Sequence, residues 1–263
     1  MATLLLVSGT ARAQSCADSD EPFGSLLDAA EFSTSVQALP PAAFFTPPIQ
    51  PQLPSQAFLT NLPAVSQQGT AMMPGSPGTC EAQSFGYGLG SYTAARLPEG
   101  SAKSNPALPQ NSVSPAYLFA LALSQGSKVA TCPKGGLALE YLAQLVASGA
   151  PTRARVPYQP SCDYFTMIES QADFPENYPE MQRFRIGSYA TFQIHTDPAA
   201  AVQMIKEYIA NGQAVAFSGK VLCGYATNLQ LQDGVIYETT TIPTGHGQLV
   251  VGYDDHVGVP GHG

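Results

Sequence analysis

The sequence predicts an α+β protein, with helices in its first half and strands in its second half. In the first half, three segments carry apolar residues at helical spacing. The second half instead contains short runs rich in Val, Ile, Tyr, Phe and Thr, which are typical of strands. The chain has 263 residues, of which 44% are apolar, so it is long enough to bury a sizeable core. We expect a helical lobe and a β-rich lobe with a cleft between them.

Composition excludes two classes of function. The chain carries 11 basic and 19 acidic residues, a formal net charge of −8, and so lacks the basic excess that binds nucleic acid. Charged residues make up 11% of the chain, while it contains 24 Gly and 23 Pro, which indicates a loop-rich, lightly charged protein. No apolar run approaches the roughly 18 residues that a membrane-spanning helix needs. We therefore expect no membrane span.

The N-terminal residues resemble the end of a secretory signal. Residues 1–13 combine a short apolar run with a small-x-small site that would be cleaved after Ala13. The positive n-region is missing, which indicates a shortened gene start, and an ordinary flexible tail is the alternative. Residues 14–54 are rich in proline, and we expect an extended leader lying on the surface. The expected localisation is secreted, periplasmic or in the cell envelope.

The first predicted helix spans residues 80–95, where Phe85, Leu89 and Tyr92 recur at helical spacing. Glycine weakens a helix by about 1 kcal/mol relative to alanine, and close packing is its usual reason in such a position. Three glycines lie in the middle of this segment: Gly86, Gly88 and Gly90.

Two further helices complete the first half. Residues 114–124 begin with Ser114 as the cap and Pro115 in the first turn, the positions that these residue types favour. Residues 137–147 form an apolar face that ends at Gly149, a typical C-terminal stop.

The second half predicts strands interrupted by one helix. The helix begins with Asp197 as its cap and ends at Asn211-Gly212. The predicted strands are residues 185–195, 213–221, 234–241 and 246–253.

Cys80 is the candidate nucleophile. The turn-rich residues 70–79 deliver it to the first turn of the predicted helix, where free N–H groups and the helix dipole stabilise a thiolate. We therefore expect its pKa to lie below the ~8.5 of a free cysteine. A buried cysteine that only packs is the alternative.

His246 is the candidate base. It stands between Gly245 and Gly247 at the head of the predicted strand 246–253, so the glycines leave room for the imidazole and the strand fixes its direction. Alone it would be interpreted as a core or turn histidine. Opposite a helix-start cysteine it completes a Cys/His arrangement for acyl transfer.

These residues and several others resemble the papain-like cysteine peptidases, particularly their divergent bacterial members. The resemblance is collinear over residues 55–263, and it implies a peptidase domain whose helical lobe supplies the cysteine and whose β-rich lobe supplies the histidine. A peptide or protein substrate would then bind extended across the cleft. The matching segments are Gln67-Gln68-Gly69, Gly78-Thr79-Cys80, residues 113–118, Cys132-Pro133-Lys134-Gly135-Gly136, Tyr158 and residues 245–253.

The resemblance also implies roles for four further residues. A glutamine before the cysteine donates to the oxyanion in this family. Pro74 occupies the usual place of that glutamine, so Gln68 is the candidate, with Gln67 next and a solvated loop amide as the alternative. Paired glycines line the family's cleft, which implies substrate contacts at Gly135 and Gly136, or else a turn before the third helix. Gly245, beside the histidine, is expected to contact substrate as well.

Two departures from the family bear on the chemistry. Glu81 follows the cysteine where the best-known members have an aromatic residue, and a carboxylate there raises the thiol pKa unless it points away or compensates a cation. The family's histidine-orienting asparagine has no counterpart before Gly263, and Asp254 and Asp255 are expected to be turn residues. We expect the sequence to lack its last strands.

The five cysteines allow two disulfides and one free thiol. Cys132 and Cys162 match positions that form a disulfide in the family, which implies that they pair. Cys16 and Cys223 would form the second bridge by counting, or each is unpaired. With both bridges formed, Cys80 is the free thiol. No close cysteine pair is present, so we expect no metal site.

The resulting hypothesis is a secreted cysteine peptidase, specifically a papain-like endopeptidase that acts through a Cys80/His246 thiolate–imidazolium pair without a cofactor. The alternatives are a catalytically inactive peptide- or surface-binding module on the same scaffold, and a Cys/His envelope amidase. The sequence does not determine the oligomeric state.

Overall fold

The computed structural model describes residues 52–63, 77–96, 105–124, 132, 135–170, 179–189, 191, 198–222 and 241–257. The signal-like residues 1–13, most of the predicted leader 14–54, and Gln67 and Gln68 lie outside these residues. The described helices are α1 (residues 80–95), α2 (Pro115–Ser124), α3 (Ala138–Ala147), α4 (Cys162–Glu169) and α5 (Pro198–Ala210), with short 3₁₀ helices at Pro109–Asn111 and Pro179–Phe184. The described strands are β1 (Gln56–Phe58), β2 (Val215–Leu222), β3 (Thr241–Val250) and β4 (Gly252–Asp254).

Helix α1 confirms the first predicted helix and explains its glycines. A side chain at Gly86 would collide with Leu118 of α2, and a Cβ at Gly90 would lie 2.9 Å from Leu145 of α3. The glycines therefore let α2 and α3 approach the α1 backbone closely. The helix is π-helical over Ala82–Gly90, a geometry that the apolar spacing did not predict.

Helices α2 and α3 also follow the sequence prediction. The Ser114 hydroxyl accepts a hydrogen bond from the Tyr117 N–H at 3.1 Å, as expected of an N-cap. At the start of α3, the Glu140 carboxylate accepts one from the Leu137 N–H at 3.3 Å. The chain turns after α3 at Gly149, whose φ of +77° favours glycine.

Substituting Gly149 is expected to destabilise the fold. Alanine there would adopt a strained left-handed conformation, and its Cβ would collide with the backbone carbonyl of Met181. We expect Gly149→Ala to lower the free energy of unfolding by about 2–4 kcal/mol, measured by urea denaturation. Gly187→Ala is the matched control, because no atom lies within 4 Å of its added Cβ. Equal stability of the two variants would contradict this assignment.

The strands form two antiparallel pairs, and their bounds correct the sequence prediction. Strand β2 pairs with β3, with Gly219 opposite His246. Strand β3 begins at Thr241, so His246 lies inside the strand rather than at its head. The predicted strand 246–253 is divided at Val251, because β4 turns away from β2 to pair with β1.

Other parts of the second half differ from the prediction or lie outside the described residues. Residues 185–189 form no strand although their composition favours one, and they follow a 3₁₀ helix instead. Residues 192–195 and 234–240 lie outside the described part of the chain. Helix α5 confirms the predicted helix and ends before Gly212, whose φ is +72°. Its predicted cap, Asp197, is not among the described residues.

Helix α4 and strand β1 were not predicted. Strand β1 has only three residues, too few for an alternating pattern to be visible, and it exists because β4 pairs with it. Helix α4 has eight residues and buries only Phe165 and Ile168, so its apolar periodicity is weak.

The main apolar core lies among α1, α2, α3 and α4. Its largest fully buried side chains include Tyr117, Phe119, Tyr141, Leu145 and Phe165. A smaller cluster of Leu59, Tyr92 and Ile209 joins α1 and α5 to the segment after β1. Among the described residues, no helix is both long and apolar enough to cross a membrane. The architecture is therefore a mixture of packed helices and small antiparallel sheets.

Candidate active site

Cys80 opens helix α1, as the sequence predicts. The Gln83 N–H donates to the Thr79 carbonyl at 2.9 Å, which is the first helical hydrogen bond. One residue earlier, the Gly78 N–H donates to the Cys132 carbonyl at 2.8 Å and holds the preceding loop. The Cys80 side chain is buried, and its thiol is the free one among the described cysteines.

Strand β3 brings His246 to the cysteine. The backbone N–H of Gly247, the next residue, donates to the Cys80 Sγ at 3.4 Å. The peptide unit that follows His246 therefore lies directly against the thiol. The His246 side chain is half-buried, and Gly245 is buried on the same strand.

Gly247 is glycine because two side chains, those of Ser84 and Glu81, crowd its α-carbon. A Cβ there would lie 2.5 Å from the Ser84 Oγ and 2.7 Å from the Glu81 Oε2. Both distances are shorter than any ordinary van der Waals contact. This close approach lets the Gly247 amide reach the sulfur of Cys80.

Burial reverses the expected titration of Cys80. Desolvation raises the pKa of the thiol far above its ordinary value, and the charge of Glu81 raises it further. The backbone N–H groups of Gly247, Glu81 and Cys80 lower it, as the helix-start argument predicted, but by less. The expected lowered thiol pKa is therefore wrong, because desolvation of the sulfur raises the pKa by more than the N–H groups lower it.

Burial also lowers the pKa of the His246 imidazole, to about 4. At pH 7 the imidazole is consequently neutral and the Cys80 thiol is protonated. The directions of both shifts favour a neutral thiol and a neutral imidazole at rest, and the predicted Cys80/His246 thiolate–imidazolium pair stays a prediction.

Glu81 is a site residue whose position the sequence left open. Its side chain is fully buried rather than pointing away, and its Oε1 accepts a hydrogen bond from the Ser218 hydroxyl of β2 at 2.5 Å. The expected rise in the thiol pKa is confirmed as the second cause after desolvation. The signal in the sequence was a carboxylate next to the nucleophile, but its burial depends on β2 and β3.

The paired glycines lie beside the loop that precedes Cys80. Gly135 has a φ of +81°, and a Cβ on Gly136 would collide with the buried Tyr141 hydroxyl. Cys132, three residues before Gly135, accepts the Gly78 hydrogen bond described above. This hydrogen bond holds Cys132, and with it the start of the segment that contains the paired glycines, against the loop that precedes Cys80.

Tyr141 and Tyr158, whose pKa values the charge of Cys80 would influence, remain neutral at pH 7. The hydroxyl of Tyr158 is hydrogen-bonded to the Thr79 Oγ1 at 2.7 Å. Burial raises the pKa of both Tyr158 and Tyr141. Neither tyrosine therefore contributes charge to the site.

The implied disulfide is present. Cys132 and Cys162 are bonded, with their α-carbons 5.7 Å apart. The bond joins Cys132, three residues before Gly135, to the first residue of α4. Cys16 and Cys223 lie outside the described residues, so the second bridge stays a prediction. No cluster of potential metal ligands occurs in the described part of the chain.

The two aspartates after His246 have other partners. Asp254 ends β4 and accepts a hydrogen bond from the His256 N–H at 2.9 Å. Asp255 lies in the following turn and pairs with Lys206 of α5 at 2.5 Å. The turn prediction is confirmed for Asp255 and is wrong for Asp254, which is the last residue of β4.

A solved structure has a similar fold. No protein-family model matches the sequence, and no curated protein sequence is significantly similar to it. The structure is similar to that of xylellain, a cysteine protease from Xylella fastidiosa, with a TM-score of 0.54 and 18% identity. The match covers 89% of this chain and 81% of xylellain. The chain has a cysteine-protease fold. At this identity the likeness concerns the fold alone, and the roles of individual residues rest on the geometry above.

Proposed function

We propose that the protein is a papain-like cysteine peptidase that cleaves peptide bonds with Cys80 as nucleophile and His246 as base. One observation carries the proposal: within a cysteine-protease fold, the amide that follows His246 lies 3.4 Å from the Cys80 Sγ. A nucleophile at a helix start and a base on a neighbouring strand are the parts that acyl transfer through a thiol needs.

The mechanism starts from the neutral pair. His246 accepts the thiol proton as the Cys80 Sγ attacks the peptide carbonyl carbon, and a tetrahedral oxyanion forms. The backbone N–H of Cys80 and the side-chain amide of Gln68 donate to that oxygen in the proposed mechanism. The imidazolium then protonates the leaving amine, and the C–N bond breaks to give a thioester. Water attacks the thioester, His246 takes its proton and returns it to the sulfur, and the carboxylic acid product leaves.

The substrate is a peptide or protein lying across a cleft between two lobes. We assign Gly135, Gly136 and Gly245 to substrate binding, because residues without side chains let a peptide backbone approach closely. Residues 55–263 form the peptidase domain, preceded by the signal-like residues 1–13 and the leader 14–54. The Cys132–Cys162 disulfide fits a secreted or cell-envelope protein, since such bonds persist in oxidising compartments.

A second candidate is a peptide-binding module that keeps the cleft without the chemistry. The observation that favours it is the raised pKa of the Cys80 thiol, together with a buried carboxyl on the adjacent residue. Both disfavour the thiolate that attacks a carbonyl.

Covalent labelling separates the two candidates. We expect an epoxide-type thiol inhibitor to modify the full-length protein once, at Cys80, as located by mass spectrometry after mild treatment with a reductant. Labelling should block the hydrolysis of fluorogenic peptides, and Cys80→Ala should remove both label and turnover. A folded protein that binds peptides but neither hydrolyses them nor reacts with the inhibitor would establish the binding module instead.

A further inference from the structure

Thr79, the residue before Cys80, is held by a side chain from a distant part of the sequence. Its Oγ1 is hydrogen-bonded to the Tyr158 hydroxyl at 2.7 Å, and the two residues are 79 positions apart. The contact joins the loop before α1 to the segment before α4. Thr79 is buried, so without Tyr158 its hydroxyl would lose a partner that water does not readily replace.

The backbone of Thr79 determines how Cys80 is placed. The Thr79 N–H donates to the Pro77 carbonyl at 2.9 Å, and its carbonyl accepts the Gln83 N–H at 2.9 Å. That carbonyl and the Cys80 N–H belong to one planar peptide unit. The position of Thr79 therefore sets the direction of the Cys80 N–H, the backbone donor to the oxyanion in the proposed mechanism.

Tyr158 is in turn fixed by the main core. Its ring centroid lies 6.1 Å from that of Phe165, a fully buried residue of α4. Two residues before Tyr158, the Val156 carbonyl accepts the Ser114 hydroxyl at 2.7 Å, which ties the segment to the start of α2. The Tyr158 hydroxyl is therefore a well-supported point from which Thr79 is held.

We propose that Tyr158 is a positioning residue, whose hydroxyl fixes Thr79 and thereby directs the Cys80 N–H toward the oxyanion during peptide hydrolysis. The inference rests on the proposed function, in which Cys80 reacts and its N–H stabilises the tetrahedral intermediate. A displacement of about 1 Å at a reacting group costs up to about 100-fold in rate, so loss of the hydrogen bond should slow the chemical step. Tyr158 is not among the residues assigned to substrate binding, so KM should change little.

The test compares Tyr158→Phe with the unsubstituted protein as full chains. We expect kcat for a fluorogenic peptide to fall about 10- to 100-fold while KM changes by less than about twofold, as for an interaction that acts in the transition state. Thr79→Val should give the same result, whereas Thr79→Ser keeps the hydroxyl and should retain most of kcat. In the double variant Tyr158→Phe/Thr79→Val the two losses should not add, because both substitutions remove the same hydrogen bond.

Tyr164→Phe is the matched control. It also removes a tyrosine hydroxyl near α4, but this hydroxyl donates to the Pro157 carbonyl at 2.5 Å, within its own segment. Its kcat should equal that of the unsubstituted protein. A purely structural role for Tyr158 would lower the unfolding temperature and leave kcat unchanged, and that result would overturn the proposal. Thr79→Val serves the same test if Tyr158→Phe does not fold.

Hydrogen exchange separates this inference from the proposed function. Deuterium uptake by the peptide covering residues 78–83 is measured by mass spectrometry, and we expect faster uptake in Tyr158→Phe than in Tyr164→Phe. If the unsubstituted protein hydrolyses no peptide but this difference is seen, the proposed peptidase is rejected and the positioning of the loop before Cys80 is kept. Unchanged kcat in an active protein would reject this inference alone, and equal uptake would reject it whether or not the protein is active.

Discussion

Replacing His246 with alanine is expected to lower kcat/KM for peptide hydrolysis by about 10²–10⁴-fold, the usual contribution of a general base. The reason is the raised pKa of the Cys80 thiol, which favours the protonated form at pH 7, so attack requires a group that accepts its proton. The measurement is the initial rate of fluorogenic peptide cleavage, with the fold checked by thermal unfolding.

His256→Ala is the matched control for this substitution. His256 is exposed and contacts Asp254 in the turn after β4, so its loss should leave peptide hydrolysis unchanged. If His246→Ala retained full activity in a folded protein, His246 would not be the base.

The pH profile of the unsubstituted protein provides a further check on His246. Because burial lowers the pKa of the imidazole to about 4, the base stays neutral down to that pH. The activity should therefore fall as the pH drops through about 4, rather than through the ordinary histidine value near 6.5. An acid limit near the ordinary value would mean that the imidazole is exposed to water in the working enzyme.

Replacing Gly247 with valine is expected to destabilise the protein and to move β3, which carries His246, away from Cys80 on α1. The new side chain would enter the space held by the Ser84 hydroxyl and the Glu81 carboxyl, which lie 2.5 and 2.7 Å from the Cβ position. Neither group can retreat freely, because Ser84 donates to the Cys80 carbonyl and Glu81 is held by Ser218. We expect a loss of about 3 kcal/mol in the free energy of unfolding, together with loss of peptide hydrolysis.

Gly219→Val is the stability control for this variant. Gly219 lies in the same pair of strands, opposite His246, and the nearest atom to its Cβ position is 3.9 Å away. Urea denaturation should show little change for Gly219→Val and a large one for Gly247→Val. Equal stabilities would mean that β3 can move away from α1 at no cost.

Local patterns in the sequence predicted α1, α2, α3 and α5, but not α4, and they predicted the elements that carry Cys80 and His246. Ser114 caps α2 as expected, because capping depends on one side chain and the N–H groups two or three residues later. Cys80 at the start of α1 and His246 on a strand follow from similarly short-range signals. The bounds of β3 and β4 were not predictable, because they depend on which strand pairs with which, and β1 contributes only three residues to that choice.

The chemistry of the site shows the same division. Short-range sequence signals placed a cysteine at a helix start with a carboxylate beside it, and a histidine between two glycines. Tertiary packing was needed to show that burial raises the pKa of Cys80 and lowers that of His246, and that Glu81 is buried against Ser218. Desolvation causes both pKa shifts, and the number of neighbours that exclude water from Cys80 and His246 is set by α1, β2 and β3 together. No segment of the chain carries that information alone.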